Sequence, residues 1–597
     1  MDSSARPGDS SRFRLASLAA LMLVHTALLA WSAWQHSPTN DEIAYLPAGI
    51  SHWQFGRFEL AAVNPPLTRL LAAIPVLFAS PKTDWANDER RHEPTFAHLV
   101  GHDFVMANGS RSPWLFTLAR WACIPLSLFG LWICYRWAQE LYGGLAGLVS
   151  GALWCFCPNI LAHAQVITPD VGGATFAVCA AYTFWRWTRM MNWPRAILAG
   201  LALGIAQLAR TTLVILFPLW VLITFVDVAT NARRDGKSTW RRTTSQLLAI
   251  YAIALFVLND GYLFSGTGRR LGDFRFISRS LAGAAAEQAD AGNRFEGSLL
   301  NEVPVPLPAD YVLGIDAQKR QFEMPWTSRS YLRGHWRDGG WWYYYLYGFT
   351  VKVPIGTLVL LVIASASCVI NRSVQSDWRS TLCILLPPLI ILAVVSSQTG
   401  FSRHFRYVLS SFPFLFVWIS QIAAARRTLG FWFRHIAMIA GLASVASSLW
   451  TYPHSLSYFN EIVGGPMGGH GHLLSSNISW GQDLLYLQRW LAARPEACPF
   501  DLAFAADFPP GAIGINYPPP PPGPDGHEAD INGQRSFAPG PGWYAVSVDY
   551  LRGDRYPRNA QCEYFLRLHP TATAGYSLYI YHLENTGSQT RGPAPAN

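Results

Sequence analysis

Residues 12–49 read RFRLASLAALMLVHTALLAWSAWQHSPTNDEIAYLPAG. From Leu15 to Trp34 the run is apolar over about 20 residues, enough to cross a bilayer, and Arg6, Arg12 and Arg14 precede it. It stops at the polar step QHSPTN, and Asp41 and Glu42 stand side by side just beyond. Two carboxylates are thus placed where a membrane helix has ended. A cleaved signal peptide is the competing reading. No small-x-small cleavage site follows Trp34 and further apolar runs follow, so an uncleaved first span is expected.

The rest of the chain fits that opening. Of 597 residues, 51% are hydrophobic and 14% charged, against roughly a quarter charged in soluble domains. The 25 Trp suit a protein that needs many interfacial anchors. Apolar spans are expected near 15–34, 114–137, 143–160, 171–188, 195–209, 211–228, 245–264, 344–370, 380–397, 406–424 and 435–452. This predicts a mainly α, polytopic membrane protein of about eleven transmembrane helices. The short loops after the even-numbered spans hold Arg186, Arg189 and Arg195; Arg233, Arg234, Lys237, Arg241 and Arg242; Arg372 and Arg379; and Arg426, Arg427 and Arg434. The positive-inside rule then puts the N-terminus and these loops in the cytoplasm. The net charge of +9 is explained by topology, which argues against a nucleic-acid partner.

Three long segments fall on the other face: 35–113, 265–343 and the tail 453–597. The transmembrane domain is expected over 1–452 and a separate non-cytoplasmic domain over 453–597. That tail carries a stiff NYPPPPPGPDG run (516–526). The strand-like stretches GWYAVSVDYLRG and GYSLYIYHL predict a small α/β or mostly β domain, and the end, from Glu584, has a disordered composition. Seven cysteines lie in expected spans, where they act as small apolar residues. Cys498 and Cys562 lie in the tail, where a disulfide is left open.

Polar chemistry gathers on this second face. The element NPPLTRLLAAIP (64–75) follows the acidic pair, NILAHAQVITPD (159–170) carries His163 and Asp170, and TGFSRHFRY (399–407) carries Arg403, His404 and Arg406. Such a compact cationic cluster suits a phosphate at headgroup depth. A carboxylate can deprotonate a hydroxyl or amine acceptor, and cations can steady a departing lipid phosphate. Lys352, at the start of the eighth span, is costly there unless paired or functional. In the tail, Asn460, Glu461, Trp480, Gln482 and Asp483 are types that serve sugar or acceptor contact, or simply bond the turns around them. No zinc or magnesium motif is seen.

The run NDEIAYLPAG…NPPL resembles the first external loop of the C-type (GT-C) membrane glycosyltransferases, nearest to the protein O-mannosyltransferase and bacterial aminoarabinose-transferase group. Three more stretches are similar to a bacterial branch of that superfamily: PLPADYVLGIDAQ (306–318), YLRGHWRDGGWWYYYLYGFTVKVPIG (331–356) and YPHSLSYFNEIVGGP…SSNISWGQDLLYLQRWL (452–491). The resemblance implies a polyprenyl-phosphate sugar donor and inverting transfer to a protein, glycan or lipid acceptor at a bacterial inner membrane; no further cofactor is expected and no metal ligands are assigned, although a His, Asp and Glu constellation in the folded site could bind a metal without a local signature. It implies Asp41 as general base with Glu42 in support. Arg403, His404, Arg406 and Lys352 are the expected donor-phosphate contacts, and Asn64, His163, Asp170 and Tyr45 the expected substrate contacts. Asn64 stands where relatives often carry His, Ser479 where an acidic residue is expected, and Arg210 where Lys is frequent. A transporter or flippase of a lipid-linked substrate, or a non-catalytic scaffold, is the alternative; no inverted repeat of the transporter kind is apparent.

Overall fold

The computed structural model describes residues 7–83, 85, 96–283, 291–323, 329–370, 377–425, 430–520, 540–553 and 562–584. Arg372, Arg426 and Arg427, most of the polyproline run and the chain end from 585 lie outside them. Among the described residues, six helical stretches are long and apolar enough to cross a membrane. They are Arg12–Gln35, Phe96–Tyr142, Thr211–Thr230, Trp240–Asp260, Trp378–Ser397 and Phe405–Ala425. Counting each of two bent helix pairs as one span gives eight. The protein is an integral membrane protein.

The other three expected spans are also helices, Pro169–Arg189, Trp193–Ala209 and Phe431–Thr451. They fall short of a spanning helix in apolarity or length. Pro169–Arg189 has almost every side chain buried by its neighbours, so packing replaces the need for a lipid-facing apolar surface. Phe431–Thr451 instead exposes Phe431, Trp432, Ile439 and Leu442, an outer face suited to lipid.

Both bent pairs have the same cause. Gly144–Phe156 meets Pro158–Ala164 at 59°, and Tyr344–Lys352 meets Ile355–Cys368 at 111°. The joints are Cys157, at φ −68 and ψ 120, and Val353, at φ −108 and ψ 135; each precedes a proline. A proline's ring disfavours the helical region for the residue before it. The two breaks meet: Asn159 Nδ2 donates to the Lys352 carbonyl at 2.6 Å, satisfying an acceptor the broken helix leaves behind.

The helix Leu216–Asp260 doubles back on itself, since the Tyr251 hydroxyl donates to the Phe217 carbonyl at 2.7 Å. Side chains 231–239, which include Arg233, Arg234 and Lys237, lie outside the description.

The tail forms a four-stranded mixed sheet of β3 (Phe500–Ala503), β4 (Gly542–Ser547), β6 (Leu578–Leu583) and β5 (Ala572–Ala574), in that spatial order; β1 (Arg329–Leu332) and β2 (His335–Asp338) make a separate hairpin. β3 and β4 run parallel and the other pairs antiparallel. The sheet and helix Leu484–Ala492 share one apolar core with Ile43, Leu46 and Ile50 of the helix Asn40–Phe55. The tail therefore packs on the element that carries the acidic pair. Cys498 and Cys562 are unbonded, the first exposed and the second buried.

Candidate active site

The acidic pair opens the helix Asn40–Phe55, with Thr39 as its N-cap. Successive helical residues point about 100° apart, so the two carboxylates part company. Glu42 turns inward and is fully buried. Its Oε2 accepts from the Thr39 amide at 2.8 Å, the reciprocal half of a capping box. Arg120 grips both its oxygens, Nε to Oε1 at 2.8 Å and Nη2 to Oε2 at 2.6 Å, and the Ile167 amide adds a bond at 2.9 Å. Arg120 also donates to the carbonyls of Ala33, His36 and Ser37. Glu42, expected to support the catalytic site, ties the end of the first span to its neighbours.

Asp41 faces the other way, into a cavity of about 750 Å³. Its Oδ2 accepts from Arg406 Nη2 at 2.9 Å, and Arg406 Nη1 lies 3.2 Å from Asp170 Oδ2. Asp170 Oδ1 pairs with Arg210 at 2.5 Å. Four charges thus alternate in a row across one wall. The Arg406 guanidinium also lies 4.1 Å over the Trp480 ring. The acidic pair's segment and the arginine turn therefore meet at one cavity, as the sequence predicts.

The remaining expected residues divide. Arg403 and His404 line the cavity, with His404 Nδ1 bonded to Ser476 Oγ at 2.7 Å. Asn64 and Tyr45 line it too, joined by a 2.8 Å bond from Asn64 Nδ2 to the Tyr45 hydroxyl. Burial and then the nearby Asp41 carboxylate push the Tyr45 phenol well up, so it is a neutral hydrogen-bonding group. Arg406 was expected on the donor phosphate, but two carboxylates occupy its Nη1 and Nη2. Lys352 is also displaced from that role. It does not line the cavity, and its ammonium donates to the carbonyls of Leu456 at 3.0 Å and Asn477 at 2.6 Å. His163 lies behind the wall, edge-on to Trp480.

Several residues escaped the sequence reading. Arg120 sits mid-span in an apolar run and its partner is 78 positions away. Asn477 fixes the arginine turn, accepting from the Phe405 amide at 2.9 Å and donating to the Arg403 carbonyl at 2.7 Å. Ser475 and Ser476 line the cavity beside Ser479 and the expected Trp480, so the segment with Ser479 in an unexpected place still builds the site. Gln318 and Gln321, from the helix Ala309–Glu323, complete another wall.

A polytopic membrane protein with a charged cavity on one face of its helix bundle, covered by its own C-terminal sheet domain, is the class these features define. More particularly, the chain resembles the C-type membrane glycosyltransferases: residues 115–259 match the family model described as dolichyl-phosphate-mannose-protein mannosyltransferase. No curated protein sequence matches the chain. Similar solved structures include ArnT from Cupriavidus metallidurans in the apo state, 12% identical, with 96% of this chain and 98% of that one covered and a TM-score of 0.42. ArnT bound to undecaprenyl phosphate matches at 12% identity, with 96% and 99% covered and a TM-score of 0.40. The Archaeoglobus fulgidus oligosaccharyltransferase in the apo form matches at 10% identity, with 81% and 58% covered and a TM-score of 0.42.

Proposed function

We propose that the protein transfers a sugar from a polyprenyl-phosphate carrier to an acceptor on the non-cytoplasmic face of a bacterial inner membrane, with inversion and with no cofactor beyond the lipid-linked donor. The observation that carries this reading is the Asp41–Arg406 pair in the cavity wall, taken with the family match over 115–259. Asp41 is the general base. Arg406 fixes one of its oxygens, and the other takes the proton from an acceptor hydroxyl or amine. The acceptor atom bonds to the sugar's anomeric carbon from the face opposite the phosphate. The carbon–oxygen bond to the carrier breaks, and polyprenyl phosphate leaves with the electron pair. Arg403 and His404, on the same cavity, meet that developing negative charge. Tyr45 and Asn64 orient sugar or acceptor, and Asp170 holds Arg406 and Arg210 in register. The acceptor is a protein, a glycan or a lipid headgroup.

The test is transfer of label from polyprenyl-phosphate sugars in membranes containing the protein. Asp41→Asn keeps the shape of the side chain and removes the base, so transfer falls by about 10²–10⁴-fold while folded protein and donor binding persist. Undiminished transfer by this variant would overturn the assignment.

A further inference from the structure

Three side chains from distant parts of the chain converge behind the cavity, and none of them lines it. His36 follows the first span, His454 follows the helix Phe431–Thr451, and Asp483 precedes the helix Leu484–Ala492. His36 Nε2 is 3.4 Å from His454 Nδ1 and 3.8 Å from Asp483 Oδ1, and His454 Nδ1 is 3.1 Å from the same oxygen. These edges bracket the ligand–ligand separation of a tetrahedral ion, and a point about 0.6 Å out of their plane lies about 2.1 Å from all three atoms, within the bond lengths of zinc to imidazole and carboxylate.

Proton accounting points the same way. His36 Nδ1 faces the Ser32 carbonyl at 2.9 Å, which only accepts, so Nδ1 carries the proton and Nε2 presents a lone pair. Asp483 Oδ2 is taken by the Ser577 amide at 3.2 Å and its hydroxyl at 2.7 Å, which leaves Oδ1 turned toward the histidines. The cluster then holds one N–H, on His454 Nδ1, for two acceptors. His36 and Asp483 are almost fully buried, where an unmatched lone pair is costly. A cation between the three atoms uses every lone pair. The bonds to Ser32 and Ser577 are the outer contacts that orient imidazole and carboxylate ligands in metal sites.

We propose that His36, His454 and Asp483 bind one divalent transition-metal ion, zinc by the chemistry of two imidazoles and a carboxylate, and that the ion clamps the C-terminal domain to the membrane domain. The clamp lies beside the strand-like contact that presents the acidic pair: the Ser37 amide donates to the Gln482 carbonyl at 3.0 Å and the Asn40 amide to the Trp480 carbonyl at 3.1 Å. The ion's role is positional, and the proposal does not depend on the transfer reaction.

The test uses the full chain in detergent, without a histidine tag, equilibrated with 1.5 equivalents of zinc and passed through metal-free buffer; about one zinc per chain is expected by mass spectrometry. His454→Gln and His36→Gln should each retain less than one-tenth of that, and zinc should raise the melting temperature of the parent protein but not of either variant. Cobalt(II) offers a reading that needs no variant, because a tetrahedral site gives intense visible absorption that stoichiometric zinc abolishes. A folded parent protein that keeps no zinc and gives no such band, or variants that bind as the parent does, would overturn the proposal.

Discussion

Arg406 is held between Asp41 and Asp170, while Glu42, one residue on, belongs to a different ion pair altogether. The side-by-side spelling of Asp41 and Glu42 hides this, because a helix sends neighbours to different faces. Glu42→Gln makes the division testable. It leaves Arg120 buried with its charge unpaired, at a cost of about 3–5 kcal/mol. Thermal unfolding in detergent should show that loss, while the protein that remains folded transfers label at near the parent rate. Asp41→Asn should do the reverse. The same logic says which site residues were legible. Asp41, Asp170, Arg403, His404 and Arg406 line the cavity and were visible in the sequence because each lies in a polar stretch between apolar runs on one expected face; Tyr45 and Asn64, which line it too, came from the family resemblance. Lys352 shows the limit of the sequence, since a buried ammonium bonded to two carbonyls reads there like one reserved for a ligand. Arg120 was missed because a single Arg in an apolar run names no partner.

At the scale of elements, proline decides where helices stop. The sequences CFCPN and KVPIG each sit in what reads as one apolar span, yet Cys157 and Val353 are extended and the helices turn there by 59° and 111°. The pre-proline restriction was visible, but the size of a bend depends on what receives the freed backbone groups. Here Asn159 supplies the partner for the Lys352 carbonyl, and Lys352 in turn bonds the carbonyls of Leu456 and Asn477. Asn477 holds the arginine turn, so the two breaks are linked to the cavity wall through three residues. Asn159→Ala strands a buried carbonyl, and a destabilisation of about 1–3 kcal/mol is expected. The measurement is the melting midpoint of the purified protein, with Asn159→Asp as a companion that restores shape but not the donor.

The whole molecule sorts its helix ends onto two faces, and the sorting tests the topology read from the basic loops. The ends expected outside meet at Asp41, Asp170, Arg210 and Arg406. Those expected inside meet in a separate set of pairs: Arg189 with Asp377, Arg379 with Asp227, and Arg186 with Glu140. Alternation of the expected spans thus agrees with the packing, even though among the described residues fewer helices than eleven are apolar and long enough to cross by themselves. Periodic apolar runs made the bundle legible. The joining of the tail sheet to the helix Asn40–Phe55 was not, because it rests on contacts between residues more than four hundred positions apart. Which face is cytoplasmic is an expectation from the basic loops, and it has a direct check in the chain's own Cys498, which is exposed in the tail. A membrane-impermeant maleimide added to intact inner-membrane spheroplasts should label Cys498. In a Cys498→Ser background, cysteine placed at the exposed Thr230 should stay unlabelled until the membrane is opened. Labelling of both positions from the same side would break the alternation, and labelling in the opposite order would move the proposed transfer to the cytoplasmic face.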